Sequence, residues 1–99
     1  MNLTLRNDYG CTEAIIADNC GFDKFYRIAD LLIEKIKISF TNKIDDADTS
    51  YWDFTYKGRH LTLHYNIYNG VSIFPRNCKQ AIPRDNEAVS DLANLLKSA

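Results

Sequence analysis

The sequence has no apolar run approaching the ~18–20 residues that a membrane-spanning helix requires, so no such helix is expected in it. Glycine is scarce and scattered, at Gly10, Gly21, Gly58 and Gly70, which rules out a glycine-rich phosphate loop. Cysteine is odd in number and widely spaced: Cys11, Cys20 and Cys78 match neither a disulfide framework nor a zinc signature. That composition predicts a reduced, cytoplasmic protein. The opening Met1-Asn2-Leu3-Thr4-Leu5-Arg6 agrees, lacking the basic start and apolar stretch of a secretory signal. Neither sign of charge dominates, since 12 Lys and Arg face 13 Asp and Glu for a net −1. A strong field for nucleic acid or lipid headgroups is therefore absent. Repeats, low-complexity tracts and linkers are missing too, and 99 residues suffice for one cored domain, 1–99.

What is present is a meander over 51–75. Trp52, Phe54 and Tyr56 alternate with Tyr51, Asp53, Thr55 and Lys57, the period of a half-buried strand. Leu61, Leu63, Tyr65 and Ile67 alternate in turn with His60, Thr62, His64 and Asn66. Lys57-Gly58 between them suits a two-residue hairpin loop, which sets Phe54 opposite Leu61 and Trp52 opposite Leu63. For the second turn, a three-residue loop Tyr68-Asn69-Gly70 sets Ile67 against Val71 and Tyr65 against Ile73. A two-residue Asn69-Gly70 loop would send the third strand's apolar set to the wrong face. Pro75, without an N–H, closes that strand.

Leu3 and Leu5 alternate with polar neighbours, predicting a short strand over 2–6, and Ala14-Ile15-Ile16-Ala17 predicts a second. From Phe22 to about Lys37 the period becomes helical, with Phe25, Ile28, Ala29, Leu32, Ile33 and Ile36 on one stripe. Asn19 or Asp23 can cap its start. Ile38, Phe40 and Ile44 suggest another strand. Asp85 or Asn86 caps a final helix bearing Ala88, Val89, Leu92, Ala93, Leu95 and Leu96. The expected fold is α+β: the antiparallel meander plus one to three further strands, with two amphipathic helices packed on the Trp52/Leu63/Ile73 face. The opposite face, with Asp53, Thr55, His60, Thr62 and His64, is left for water or a partner.

Chemistry on that face is sparse. His60 and His64 share it, but four residues along a strand separate them by ~13 Å, too far to hold one zinc ion, so no metal or cofactor is expected. Asp53 faces Thr62 with both histidines diagonal to it, which could tune a general base, yet a flat face supplies neither cleft nor nucleophile. Cys20, just before the first helix, is the cysteine best placed for a lowered pKa, and a buried or incidental thiol is the plainer reading. Base stacking would need Trp52, Phe54, Tyr56 and Tyr65, which the core claims, so nucleic-acid binding is not expected. There remains the acidic stretch Asp45, Asp46, Asp48 with Tyr51, Asp53, His60 and His64. It reads either as ordinary solvated surface or as a negative recognition surface for a basic protein.

The arrangement Tyr51-Trp52-x-Phe54-x-Tyr56-x-Gly58, then Leu61-x-Leu63-x-Tyr65 and Gly70-Val71-Ser72-Ile73-x-Pro75, resembles small bacterial proteins of about this length. Among these are cytoplasmic immunity proteins of contact-dependent growth-inhibition and related toxin systems. The resemblance implies a non-catalytic inhibitor that binds a cognate toxin domain, often a basic nuclease, and occludes its active site. Asp45, Asp46, Asp48 and Asp53 would then meet basic residues, with Tyr51, His60 and His64 at the contact. Two other readings stand beside it: a small or metal-dependent hydrolase using Asp53 with His60 or His64, and a homo-oligomeric structural protein joined through a strand edge.

Overall fold

A computed structural model describes residues 4–8, 10–17, 21–68 and 70–97 of the chain. The fold is α+β. Strands β1 (Thr4–Asp8), β2 (Cys11–Ala17), β3 (Phe40–Asp45), β4 (Thr49–Tyr56), β5 (Arg59–Asn66) and β6 (Gly70–Pro75) form one antiparallel sheet in the order β1-β2-β6-β5-β4-β3. Helices α1 (Phe22–Leu31) and α2 (Pro83–Lys97) pack on one face of it. The two N-terminal strands thus belong to the central sheet, through antiparallel pairing of β2 with β6.

The first meander turn follows from its residues. Lys57 at φ 52° and Gly58 at φ 75° both turn left-handed, as a primed two-residue turn demands, and Phe54 meets Leu61 while Trp52 meets Leu63. The second turn differs from the sequence expectation. Asn66 pairs with Gly70, Tyr65 with Val71 and Leu63 with Ile73, so the ladder closes at Asn66 and Gly70 and Ile67 lies outside it; Asn69 is outside the described residues. The Asn66 Oδ1 accepts the Tyr68 N–H at 2.7 Å, closing a side-chain turn that draws Ile67 out of the ladder. Because the register moves by an even step, Val71 and Ile73 keep the core face.

Helix α1 presents Phe25, Ile28 and Ala29 to the sheet, then widens into a π-helical turn over Leu32–Ile36. That wider turn carries Ile33 off the expected stripe to 46% exposure, while Leu32 stays fully buried. Lys37, at φ 66°, ends the segment and donates its N–H to the Leu32 carbonyl. Gly21 occupies the N-cap position with no side-chain cap, and Asp23 falls in the first turn, where its charge complements the helix dipole. Asn19 and Cys20 lie outside the described residues.

Helix α2 starts on Pro83, whose missing N–H is harmless there, and the Asp85 carboxylate accepts the Ile82 N–H at 3.1 Å. Asn86 instead ties α2 to the β1–β2 turn: its amide donates to the Gly10 carbonyl at 2.7 Å and its oxygen accepts the Thr12 N–H at 2.9 Å. Leu95, expected on the apolar stripe, is exposed. Between helices and sheet lie Phe25, Phe54, Leu61, Leu63, Ile73, Val89 and Leu92, each contributing roughly 1.5–3 kcal/mol by burial.

Cys11 and Cys78 form a disulfide with Cα atoms 5.4 Å apart and a sequence separation of 67. This corrects the expectation of three unpaired thiols. The spacing gave no framework because only the β2–β6 pairing brings the start of β2 beside the turn that follows β6.

Candidate functional site

Since both helices cover one face, the functional surface is sought on the other. Strand alternation and register stack its side chains in rows that run across the strands. One row crosses all six: Thr4, Ile15, Ser72, His64, Tyr51 and Ile44 are successive cross-strand partners. Tyr51 and Ile44 are 38% and 51% exposed, where helix-side neighbours such as Phe54 and Leu63 are fully buried. Tyr51 stacks on the His64 ring with centroids 4.3 Å apart and planes 26° apart, and Phe74 lies against the same imidazole at 5.7 Å. A hollow of about 480 Å³ opens over this end, between Tyr51, His64, Phe74, Tyr68, Glu13 and Arg6.

His64 is held in a defined state. Its Nδ1 lies 3.0 Å from the Ser50 carbonyl, which can only accept, so Nδ1 carries the hydrogen and Nε2 the lone pair. Burial beneath Tyr51 and Phe74 pushes its pKa below the usual histidine value, opposed by the Ser50 bond and by the nearby Glu13 charge.

The next row reads Phe74, Thr62, Asp53 and Asn42. Asp53, expected at the contact surface, is only 8% exposed. Its Oδ1 accepts the Thr62 hydroxyl at 2.6 Å and its Oδ2 lies 3.5 Å from the Arg76 Nε. A buried carboxylate with both oxygens so engaged holds β4, β5 and the turn after β6 together. No Asp53–histidine bond forms among the described residues, and His64 is bonded to Ser50 instead. His60 is exposed at the far end of the face, in a hollow with Arg59, Arg76, Gln80 and Asp85. Arg59 itself pairs with Asp85 at 2.6 Å, holding that carboxyl below its usual range.

The acidic stretch divides in the same way. Asp45 sits opposite Ser50 on the helix side, where its Oδ1 accepts the Trp52 indole N–H at 2.8 Å, and that bond lowers its pKa. Asp46 and Asp48 are exposed on the β3–β4 turn, closed by the Asp46 N–H on the Thr49 carbonyl at 2.8 Å. The Asp48 carbonyl accepts the Ile67 N–H at 3.1 Å, so this turn abuts the β5–β6 loop and Tyr68. The structure therefore stacks Tyr51 on His64 and leaves Asp46 and Asp48 exposed on the turn at the same end of the sheet, while Asp45 turns to Trp52, Asp53 is buried in the adjacent row and His60 lies at the far end.

Phe74, Glu13, Arg6, Ile15 and Tyr68 were not singled out from sequence. Phe74 was readable, since it alternates with Ile73, but Glu13, Ile15 and Arg6 join the face only once β2 is known to pair with β6. Among the described residues no group of three or more His, Cys, Asp or Glu is placed to hold a metal, and no helix is long and apolar enough to cross a membrane.

One family model matches the chain, over residues 5–96, under the description "Protein of unknown function (DUF3630)". No curated protein and no solved structure matches it.

Proposed function

Because the chain belongs to the DUF3630 family, whose description assigns no activity, we propose from the surface alone that it is a non-catalytic protein-binding module. The specific form we favour is the one the sequence resemblance implies, an immunity protein that occludes a basic toxin domain. The observation that supports it is the row in which exposed Tyr51 and Ile44, with half-buried His64 and Ile15, face away from the helices at the end of the sheet where Asp46 and Asp48 are exposed. Aromatic side chains anchor interfaces well, having few rotatable bonds and large apolar area, and flanking aspartates steer a basic partner inward. The hydrolase reading has less support, because Asp53 is engaged by Thr62 and Arg76 rather than by a histidine. An edge-joined oligomer is also less favoured. Edge strand β3 carries a register shift between Phe40 and Asn42, and Lys43 folds over Trp52 at 4.3 Å, features that blunt strand addition.

The place of action we propose is the cytoplasm. A reducing cytosol disfavours the Cys11–Cys78 bond, so thiol trapping in intact cells tests this placement directly. The functional test is capture from the native bacterium, followed by titration of the purified partner against wild type, Asp46→Lys/Asp48→Lys and Tyr51→Ala. The expected result is one basic protein bound 1:1, its activity blocked, with each variant at least tenfold weaker. Unchanged affinity in both variants, or a partner whose activity survives binding, refutes the proposal.

A further inference from the structure

The hollow beside Tyr51 is more specific in its chemistry than the face around it. Its walls are the stacked Tyr51–His64 pair and Phe74, whose ring faces carry negative quadrupole potential. His64 adds an acceptor, because its single hydrogen is committed at Nδ1 to the Ser50 carbonyl. Glu13 lines the hollow and forms no ion pair among the described residues, although Arg6 is its cross-strand partner. Glu13 lines the same hollow as Tyr51, His64 and Phe74, which places it beside the aromatic wall. Asp46 and Asp48 lie at the same end of the sheet, on the turn bonded to the Tyr68 loop. Arg6, the cross-strand partner of Glu13, also lines the hollow and is the opposing charge.

We infer that this hollow receives the guanidinium of an arginine side chain presented by a protein partner. The inference rests on the protein-binding reading above and names the anchor within it. A guanidinium is planar, so it stacks on an aromatic face as an ammonium cannot, while its fork donates to a carboxylate through two parallel N–H bonds. Tyr51–His64 supplies the face and Glu13 the carboxylate. The volume of about 480 Å³ falls in the range of small-ligand sites and takes the end of one long side chain with room for its stem. A phosphate-bearing ligand would meet Glu13 in the hollow as a like charge, with Asp46 and Asp48 on the turn at the same end of the sheet, against Arg6.

The test uses N-acetyl-arginine amide titrated into the intact protein, followed by NMR of the Tyr51, His64 and Phe74 rings at constant ionic strength. The matched citrulline amide, neutral and nearly isosteric, is the control; the lysine amide and AMP are further arms. Saturable shifts confined to these rings, with citrulline at least tenfold weaker and arginine ahead of lysine, are the expected result. Glu13→Gln, a partly exposed position checked by an otherwise unchanged spectrum, is expected to weaken arginine about fivefold to tenfold, roughly the effect of one charge-assisted pair. Equal binding of citrulline, equal binding to Glu13→Gln, or larger shifts with AMP overturns the inference. A captured partner that still binds through the face while arginine fails removes this inference alone. Arginine binding without any partner removes the protein-binding reading instead.

Discussion

Reducing the Cys11–Cys78 bond is expected to lower stability sharply while leaving the fold in place. The bond closes a loop with a sequence separation of 67, so in the unfolded chain it joins points that would otherwise be far apart. In the chain-entropy treatment a loop of that length is worth about 4 kcal/mol, and measured bonds more often give 2–4 kcal/mol. For a domain near this size each kcal/mol moves the midpoint by roughly 4–8 °C, so a loss of about 10–25 °C is expected. The native geometry does not depend on the bond, because β2 remains paired with β6 and Asn86 grips both Gly10 and Thr12. The assay compares oxidised protein, reduced protein and the Cys11→Ala/Cys78→Ala variant by thermal melting, with alkylation mass spectrometry as the check on bonding. In denaturant one thiol should react before reduction and three after. Equal midpoints for oxidised and reduced protein would refute the reasoning, as would a reduced chain with no dispersed NMR spectrum, since the bond would then hold the native state rather than restrict the unfolded one.

Asp53→Ala should destabilise by about 2 kcal/mol in urea, since it leaves the Thr62 hydroxyl and Arg76 without their acceptor at a site only 8% exposed. Asp53→Asn, which keeps an oxygen for Thr62, should lose less; equal losses would show that the carboxylate charge carries the whole effect and the oxygen offered to Thr62 none of it. The dependence on pH has two parts of like direction and different cause. His64 has a folded pKa below its ordinary 6.5, so the unfolded chain binds the proton more tightly, and stability present above about 6.5 declines as pH falls toward the folded value. Asp85 is held below its ordinary 3.8, so its contribution is full above that value and is lost as pH falls through the depressed folded pKa. Urea titrations between pH 8 and 5 should show a shallower decline for His64→Gln than for wild type, and equal slopes would contradict the assigned burial of that imidazole.

The faces of the meander and its first turn were legible in local pattern, while its second turn closed two residues off the expected register. Two-residue alternation places Trp52, Phe54, Leu61 and Leu63 on one side whatever else the chain does, and Lys57-Gly58 supplies the left-handed pair that fixes their register. Helical periodicity likewise put Phe25, Ile28 and Leu32 against the sheet, and these are local properties of neighbouring residues. Local pattern could not reveal that the chain closes the sheet by laying β2 against β6, because that pairing joins segments more than fifty positions apart and carries no signature in either. From this one long-range decision come the Cys11–Cys78 bond, the Asn86 clamp and the presence of Glu13 beside His64. Tertiary structure also sorted the acidic residues. Asp45, Asp46, Asp48 and Asp53 are chemically alike in the sequence, yet Trp52 takes the first, Thr62 and Arg76 take the last, and Asp46 and Asp48 are exposed on the turn at the end of the sheet. A carboxylate's availability depends on which donors the fold brings within about 3 Å of it, and those donors lie elsewhere in the chain.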